Sequence, residues 1–92
     1  RAALDELQPE FEAQWRGLDT SEQKTMRAVI AGEGSPYRAA VLERLALTKT
    51  MAQKALRRLA ARAELEAEDG KQTVVDPLFA EWIDRLNAAP EQ

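Results

Sequence analysis

Five side chains in one short segment, Lys49, Thr50, Gln53, Lys54 and Arg57, are the residues best placed to do chemistry in this chain. At helical spacing they face outward from a single helix, and their chemistry is recognition rather than catalysis. In the major groove of duplex DNA a glutamine suits adenine, and a lysine suits guanine or a phosphate oxygen. Arg38, Arg44 and Arg57 are candidates for phosphate contacts, and Thr48 stands at the head of the same segment.

Little else in the sequence offers reactivity. Histidine and cysteine are absent. That removes the commonest general base and metal ligand, together with thiolate chemistry and disulfides. Gly32 and Gly34 lack the Gly-Lys-Ser/Thr that completes a phosphate-binding loop. Ser21 and Ser35 have no histidine to activate them. Glu64, Glu66, Glu68 and Asp69 carry oxygen ligands without the spacing of a calcium loop, so a solvated acidic segment is expected. The expectation is a chain with no enzymatic activity, cofactor or bound metal of its own.

Charge is unevenly spread. Residues 1–22 hold two basic and six acidic side chains, a net of −4. Residues 23–62 hold nine basic and two acidic, a net of +7, and residues 63–92 two basic and eight acidic, a net of −6. A basic centre between acidic flanks suits an anion-binding face, or flanks that fold back and neutralise the centre.

The elements that must hold the basic segment follow from apolar spacing. Tyr37 to Leu59 reads as two short helices around a tight corner at Leu45-Ala46-Leu47-Thr48. Val41, Leu42 and Leu45 form the buried face of the first; Ala52, Ala55, Leu56 and Leu59 form that of the second, with Thr48 as its N-cap. Such a pair is a helix-turn-helix. Upstream, Leu4, Leu7, Phe11, Trp15 and Leu18 make one stripe on an amphipathic helix over residues 3–18, which Pro9 should kink or shorten. Thr20 and Gln23 have capping-box spacing for the next helix, whose buried residues are Met26, Val29 and Ile30 and whose stop is Gly32. Ser35 and Pro36 are placed as N-cap and first residue of the helix after it. Downstream, Glu64–Glu68 and Lys71–Val75 flank an Asp69-Gly70 turn signal and read as a two-stranded hairpin. Asp76-Pro77 then opens a last helix carrying Phe79, Trp82, Ile83 and Leu86 on one stripe, with a frayed tail from Asn87.

With 92 residues, 45% of them hydrophobic, the chain can build one modest core. The expected fold class is mainly α with a small β-hairpin: a winged helix-turn-helix over residues 19–92, preceded by an N-terminal helix over 1–18. Arg58 and Arg62 are expected to reach toward Glu64 or other acids.

This order of elements, ending in Val74-Val75-Asp76-Pro77-Leu78-Phe79-Ala80-Glu81-Trp82-Ile83, resembles the winged-helix domain that follows the nucleotide-binding domain of bacterial and archaeal AAA-type (P-loop) ATPases. The likeness covers about residues 18–86. It departs from the family pattern at Ala46, where the corner usually has glycine, at Leu42, where a small alanine is usual, and at Ala63, where glycine often precedes the wing. The resemblance implies a noncatalytic regulatory or interaction module, with ATP and Mg2+ belonging to an ATPase domain upstream of Arg1. It also implies that the module contacts that core, a protein partner or DNA. The start at Arg1, without methionine and directly in helical sequence, fits a piece of a longer protein. The Leu4–Leu18 stripe is expected to cover the core of the domain; on the alternative reading, Leu4, Leu7, Phe11 and Trp15 are the candidate partner or homodimer interface. Lys49, Thr50, Gln53, Lys54 and Arg57, with Arg38, Arg44 and Thr48, are the candidate double-stranded DNA interface. No apolar run approaches about 18 residues and no signal-peptide pattern opens the chain, so a cytoplasmic protein without membrane contact is expected.

Overall fold

The computed structural model describes residues 2–89, with side chains from residue 5 onward. Its helices are α1 (Ala2–Arg16), α2 (Thr20–Ala31), α3 (Ala39–Leu45), α4 (Lys49–Ala61) and α5 (Pro77–Ala88). Between α4 and α5 lies one antiparallel hairpin, β1 (Leu65–Glu68) and β2 (Lys71–Val74). The fold is mainly α with a small β-hairpin.

Helix α2 is the hub: α3, α4, β2 and α5 all pack on it. Its start is capped one residue earlier than the Thr20–Gln23 spacing suggests. Asp19 is the N-cap and accepts from the Glu22 N–H at 2.8 Å, while the Glu22 carboxylate accepts from the Asp19 N–H at 2.9 Å. Aspartate is the stronger cap, and Glu22 completes the box from the third position. Gln23 instead donates to the Trp15 carbonyl at 2.8 Å and helps close the end of α1. Gly32 terminates α2 as expected, and a side chain there would collide with the Ser35 carbonyl.

Other boundaries also differ from the pattern reading. Pro9 lies inside an unbroken α1, with its ring exposed to solvent. Helix α3 starts at Ala39, after Arg38, rather than at Pro36; Pro36 is buried in the loop. Asn87 belongs to α5, where its amide accepts from Arg27 Nε at 2.7 Å and donates to the Arg27 carbonyl at 3.1 Å. That clamp extends the helix past the expected fraying point; residues 90–92 of the expected tail lie outside the described residues.

Two apolar clusters stack around α2. The larger joins Phe11, Leu18, Met26, Val29, Leu59, Leu65, Val74, Phe79, Trp82 and Ile83. The smaller holds Ala28, Leu45, Leu47 and Ala52, with Val41, Leu42 and Met51 against it, and seats α3 and the start of α4. At the centre of the larger cluster Phe79 lies 5.4 Å from Phe11 and 5.8 Å from Trp82, ring centre to ring centre. Trp15 meets Trp82 edge-on at 5.8 Å. Trp82 Nε1 donates to Gln8 Oε1 at 2.8 Å, so the indole is buried with its polar atom satisfied.

The corners use left-handed backbone. Asp69 and Gly70 both have positive φ (53° and 78°), the geometry that a two-residue hairpin turn needs. Ala46 (φ 54°) closes α3 and Ala63 (φ 60°) links α4 to β1. A Cβ there costs about 1 kcal/mol, part of which glycine would give back as unfolded-chain entropy. Ala46→Gly and Ala63→Gly should therefore each stabilise by about 0.5 kcal/mol, raising the thermal midpoint by about 2–4 °C. A calorimetric scan in which either glycine lowers the midpoint would contradict this account of the corners.

Candidate interaction face

The smaller cluster seats α3 and the start of α4 on α2, leaving their other side chains facing outward. The Ala46 carbonyl at the corner accepts from Lys24 Nζ at 3.3 Å, tying the corner back to α2. Thr48 caps α4 by accepting from the Met51 N–H at 3.1 Å. Its hydroxyl is thus engaged in the cap, which makes Thr48 a positioning residue for the face. Ala52, Ala55 and Leu59 are fully buried, so the opposite side of α4 must be solvent-facing.

Thr50, Gln53, Lys54 and Arg57 lie on that solvent side, and all are exposed. Lys49 opens the helix with its ammonium 5.4 Å from the centre of the Tyr37 ring. Tyr37 is itself more than a third exposed, so it serves as a platform rather than a core residue. Arg38 and Arg44 stand exposed at the two ends of α3. The basic candidates thus lie exposed on α4 and toward the two ends of α3.

Arg58 and Arg62 are treated differently. They sit at the border of the exposed side, next to the start of α2. Arg58 bonds Glu22 at 2.9 Å and Asp19 at 3.3 Å, and Arg62 bonds Glu22 at 3.0 Å. Their partners are on α2 rather than at Glu64, whose carboxylate accepts from Gln14 Nε2 at 2.9 Å. Burial pushes the Glu22 carboxyl up. Hydrogen bonds from the Asp19 N–H, Arg58 and Arg62 outweigh that and hold it below its ordinary value of 4.5. Fold-back neutralisation of the basic centre therefore operates on one side of α4. Lys49, Lys54 and Arg57 of α4, and Arg38 and Arg44 at the ends of α3, form no ion pair among the described residues.

The apolar stripe offered for a partner is spent inside the chain. Phe11 is 3% exposed, and Trp15 packs half-buried on Phe79 and Trp82. Leu7 rests half-buried on the same cluster, while the side chain of Leu4 lies outside the described residues. A helix covering two large rings of α5 cannot also offer Phe11 to another surface without opening the core. No family model, curated protein or solved structure matches the chain.

Two other features complete the surface. The hairpin exposes Glu66, Glu68 and Asp69 beside Lys71, which stands opposite Glu68 in the strand register. A groove of about 350 Å³ runs between α2, β2 and α5, walled by Val29, Ile30, Val74, Pro77 and Ala80. Among the described residues no group of acidic side chains is arranged to hold a metal ion, and no helix is long and apolar enough to cross a membrane.

Proposed function

We propose that this chain is a noncatalytic winged helix-turn-helix module of the kind that follows the nucleotide-binding domain in AAA-type ATPases, acting as a contact surface for the ATPase core or a protein partner. The observation that carries the reading is how the Asp76-Pro77-Leu78-Phe79-x-x-Trp82-Ile83 segment is used. Asp76 accepts from the N–H groups of Leu78 and Phe79, Pro77 occupies the first turn, and Phe79, Trp82 and Ile83 seal the core. Further support comes from Ala46 and Ala63. The family's usual glycines fall at these two positions, and the backbone here is left-handed at both. On this reading α3 and α4 are the helix-turn-helix and the β1–β2 hairpin is its wing. ATP and Mg2+ would then belong to the nucleotide-binding domain, and none of these residues would take part in hydrolysis.

Expression of the gene from its own start codon tests this. The expected product carries a Walker motif ahead of Arg1 and hydrolyses ATP, at a rate that changes when residues 19–92 are deleted. Residues 1–92 alone should leave ATP untouched. ATP hydrolysis by residues 1–92, or a gene product without a Walker motif, would overturn the reading.

A further inference from the structure

We infer that the exposed basic side chains of α3 and α4 are a docking surface for a second copy of this chain, which presents the acidic solvent side of its α1. The inference does not rest on the ATPase reading, since it stands on where this chain leaves its own charges unpaired.

The fold sorts the nine cations of the central segment. Arg58 and Arg62 are consumed by Asp19 and Glu22, while Lys24 and Arg27 are bound to the Ala46 carbonyl and to Asn87. The remaining five, Arg38, Arg44, Lys49, Lys54 and Arg57, are all exposed. The one carboxylate between residues 38 and 57 is Glu43, which leaves a net of +4. Helix α1 is the counterpart. Its apolar stripe is turned onto the core, so Asp5, Glu6, Glu10 and Glu12 are all exposed. None of the four forms an ion pair among the described residues, and Arg16 is the one cation of α1 set against them.

Each helix carries a repulsion that the single chain does not relieve. Glu6 and Glu10 are neighbours one helical turn apart on α1, and so are Lys54 and Arg57 on α4. Within one chain these charges are kept apart, because α1 packs on α5 whereas α3 and α4 pack on α2. A second copy can bring them together. Helices α1 (15 residues) and α4 (13 residues) are nearly equal in length, so the acidic side of one can lie along the basic side of the other. The other acidic elements fit less well. In the hairpin Lys71 stands opposite Glu68, and the Glu64 carboxylate already accepts from Gln14. On α5, Arg85 lies 4.0 Å from Glu81. Exposed ion pairs contribute little one by one, so the dissociation constant at low salt should be on the order of 0.1–1 mM. The contact joins two different surfaces and is therefore head-to-tail.

Sedimentation equilibrium of the 92-residue chain, at concentrations up to about 2 mM, is the test. The weight-average mass should rise above the monomer's in about 20 mM salt and return to it in 1 M salt, where the screening length is only about 3 Å. Lys49→Ala, Lys54→Ala and Arg57→Ala combined should weaken self-association by about tenfold or more. Arg16→Ala, Lys71→Ala and Arg85→Ala combined change the net charge by the same amount elsewhere and should associate within about twofold of the parent. Glu6→Gln, Glu10→Gln and Glu12→Gln combined bring the net charge from −3 to zero. Loss of net charge by itself promotes association, so a weakening by this variant would point to the α1 contact. Thermal melts within a few degrees of the parent would show that each variant keeps the fold. Three results would overturn the inference: a monomer's mass throughout at low salt, association that persists in 1 M salt, or a glutamine variant that associates as strongly as the parent.

Discussion

Phe79→Ala should cost about 4 kcal/mol, the largest single loss this fold can suffer from one side chain. Phe79 is fully buried, and its ring touches Phe11, Trp15 and Trp82, so truncation removes one ring and strands three others around a cavity. A domain of this size has only about 5–10 kcal/mol in total, so the variant should sit close to the edge of folding, its thermal midpoint lower by about 15–30 °C. Phe79→Leu keeps much of the volume and should cost less than half as much. Urea denaturation followed by fluorescence reads this directly, because Trp15 and Trp82 are the two indoles beside the ring. A loss below about 1 kcal/mol would mean that α1 and α5 do not meet through these aromatics.

Glu22→Ala is the second large effect. Glu22 is 2% exposed, yet it joins the start of its own helix, through the Asp19 N–H, to Arg58 and Arg62 at the end of α4. Losing the capping box costs about 1 kcal/mol. The charge-assisted bonds add about 1–2 kcal/mol, a figure reduced because both guanidiniums remain roughly half exposed to screening solvent. The total expected loss is about 2–3 kcal/mol.

The acid dependence follows from the same residue. Its carboxyl titrates below 4.5 in the folded chain, so the unfolded chain binds the proton more readily. Its contribution is present in full above the ordinary value and is lost as the pH falls through the lower folded value. Urea midpoints of the parent and of Glu22→Gln should therefore be well separated at pH 7 and converge as the pH falls below 4.5 and through the lower folded value. A separation that stays constant across that range would show that Glu22 is not an ionised partner of Arg58 and Arg62.

Local rules determined a large part of this protein from sequence alone. The hairpin at Asp69-Gly70, the Thr48 and Asp76 caps, the Gly32 stop and the apolar faces of α2, α4 and α5 each depend on residues within a few positions of one another. Short-range sterics and helical periodicity act over that same distance, so they can be read from the chain. Where two local signals competed, the stronger one prevailed: Asp19, completed by Glu22, caps α2 in place of Thr20, and α1 runs unbroken through Pro9, whose ring sits on the exposed side.

Three matters were decided only by the folded chain. The Leu7–Trp15 stripe was expected to cover the core, with another molecule as the alternative, and the partner face on α5 decided for the core. The Arg27–Asn87 clamp joins residues 60 positions apart and leaves no mark in either neighbourhood. Above all, the arginines and lysines of the basic centre look alike in one dimension. Only the approach of Asp19 and Glu22 to Arg58 and Arg62 separates paired cations from free ones. Charge pairing is a contact of a few ångströms between distant positions. The net charge was therefore fixed by composition, while the free face was fixed by packing.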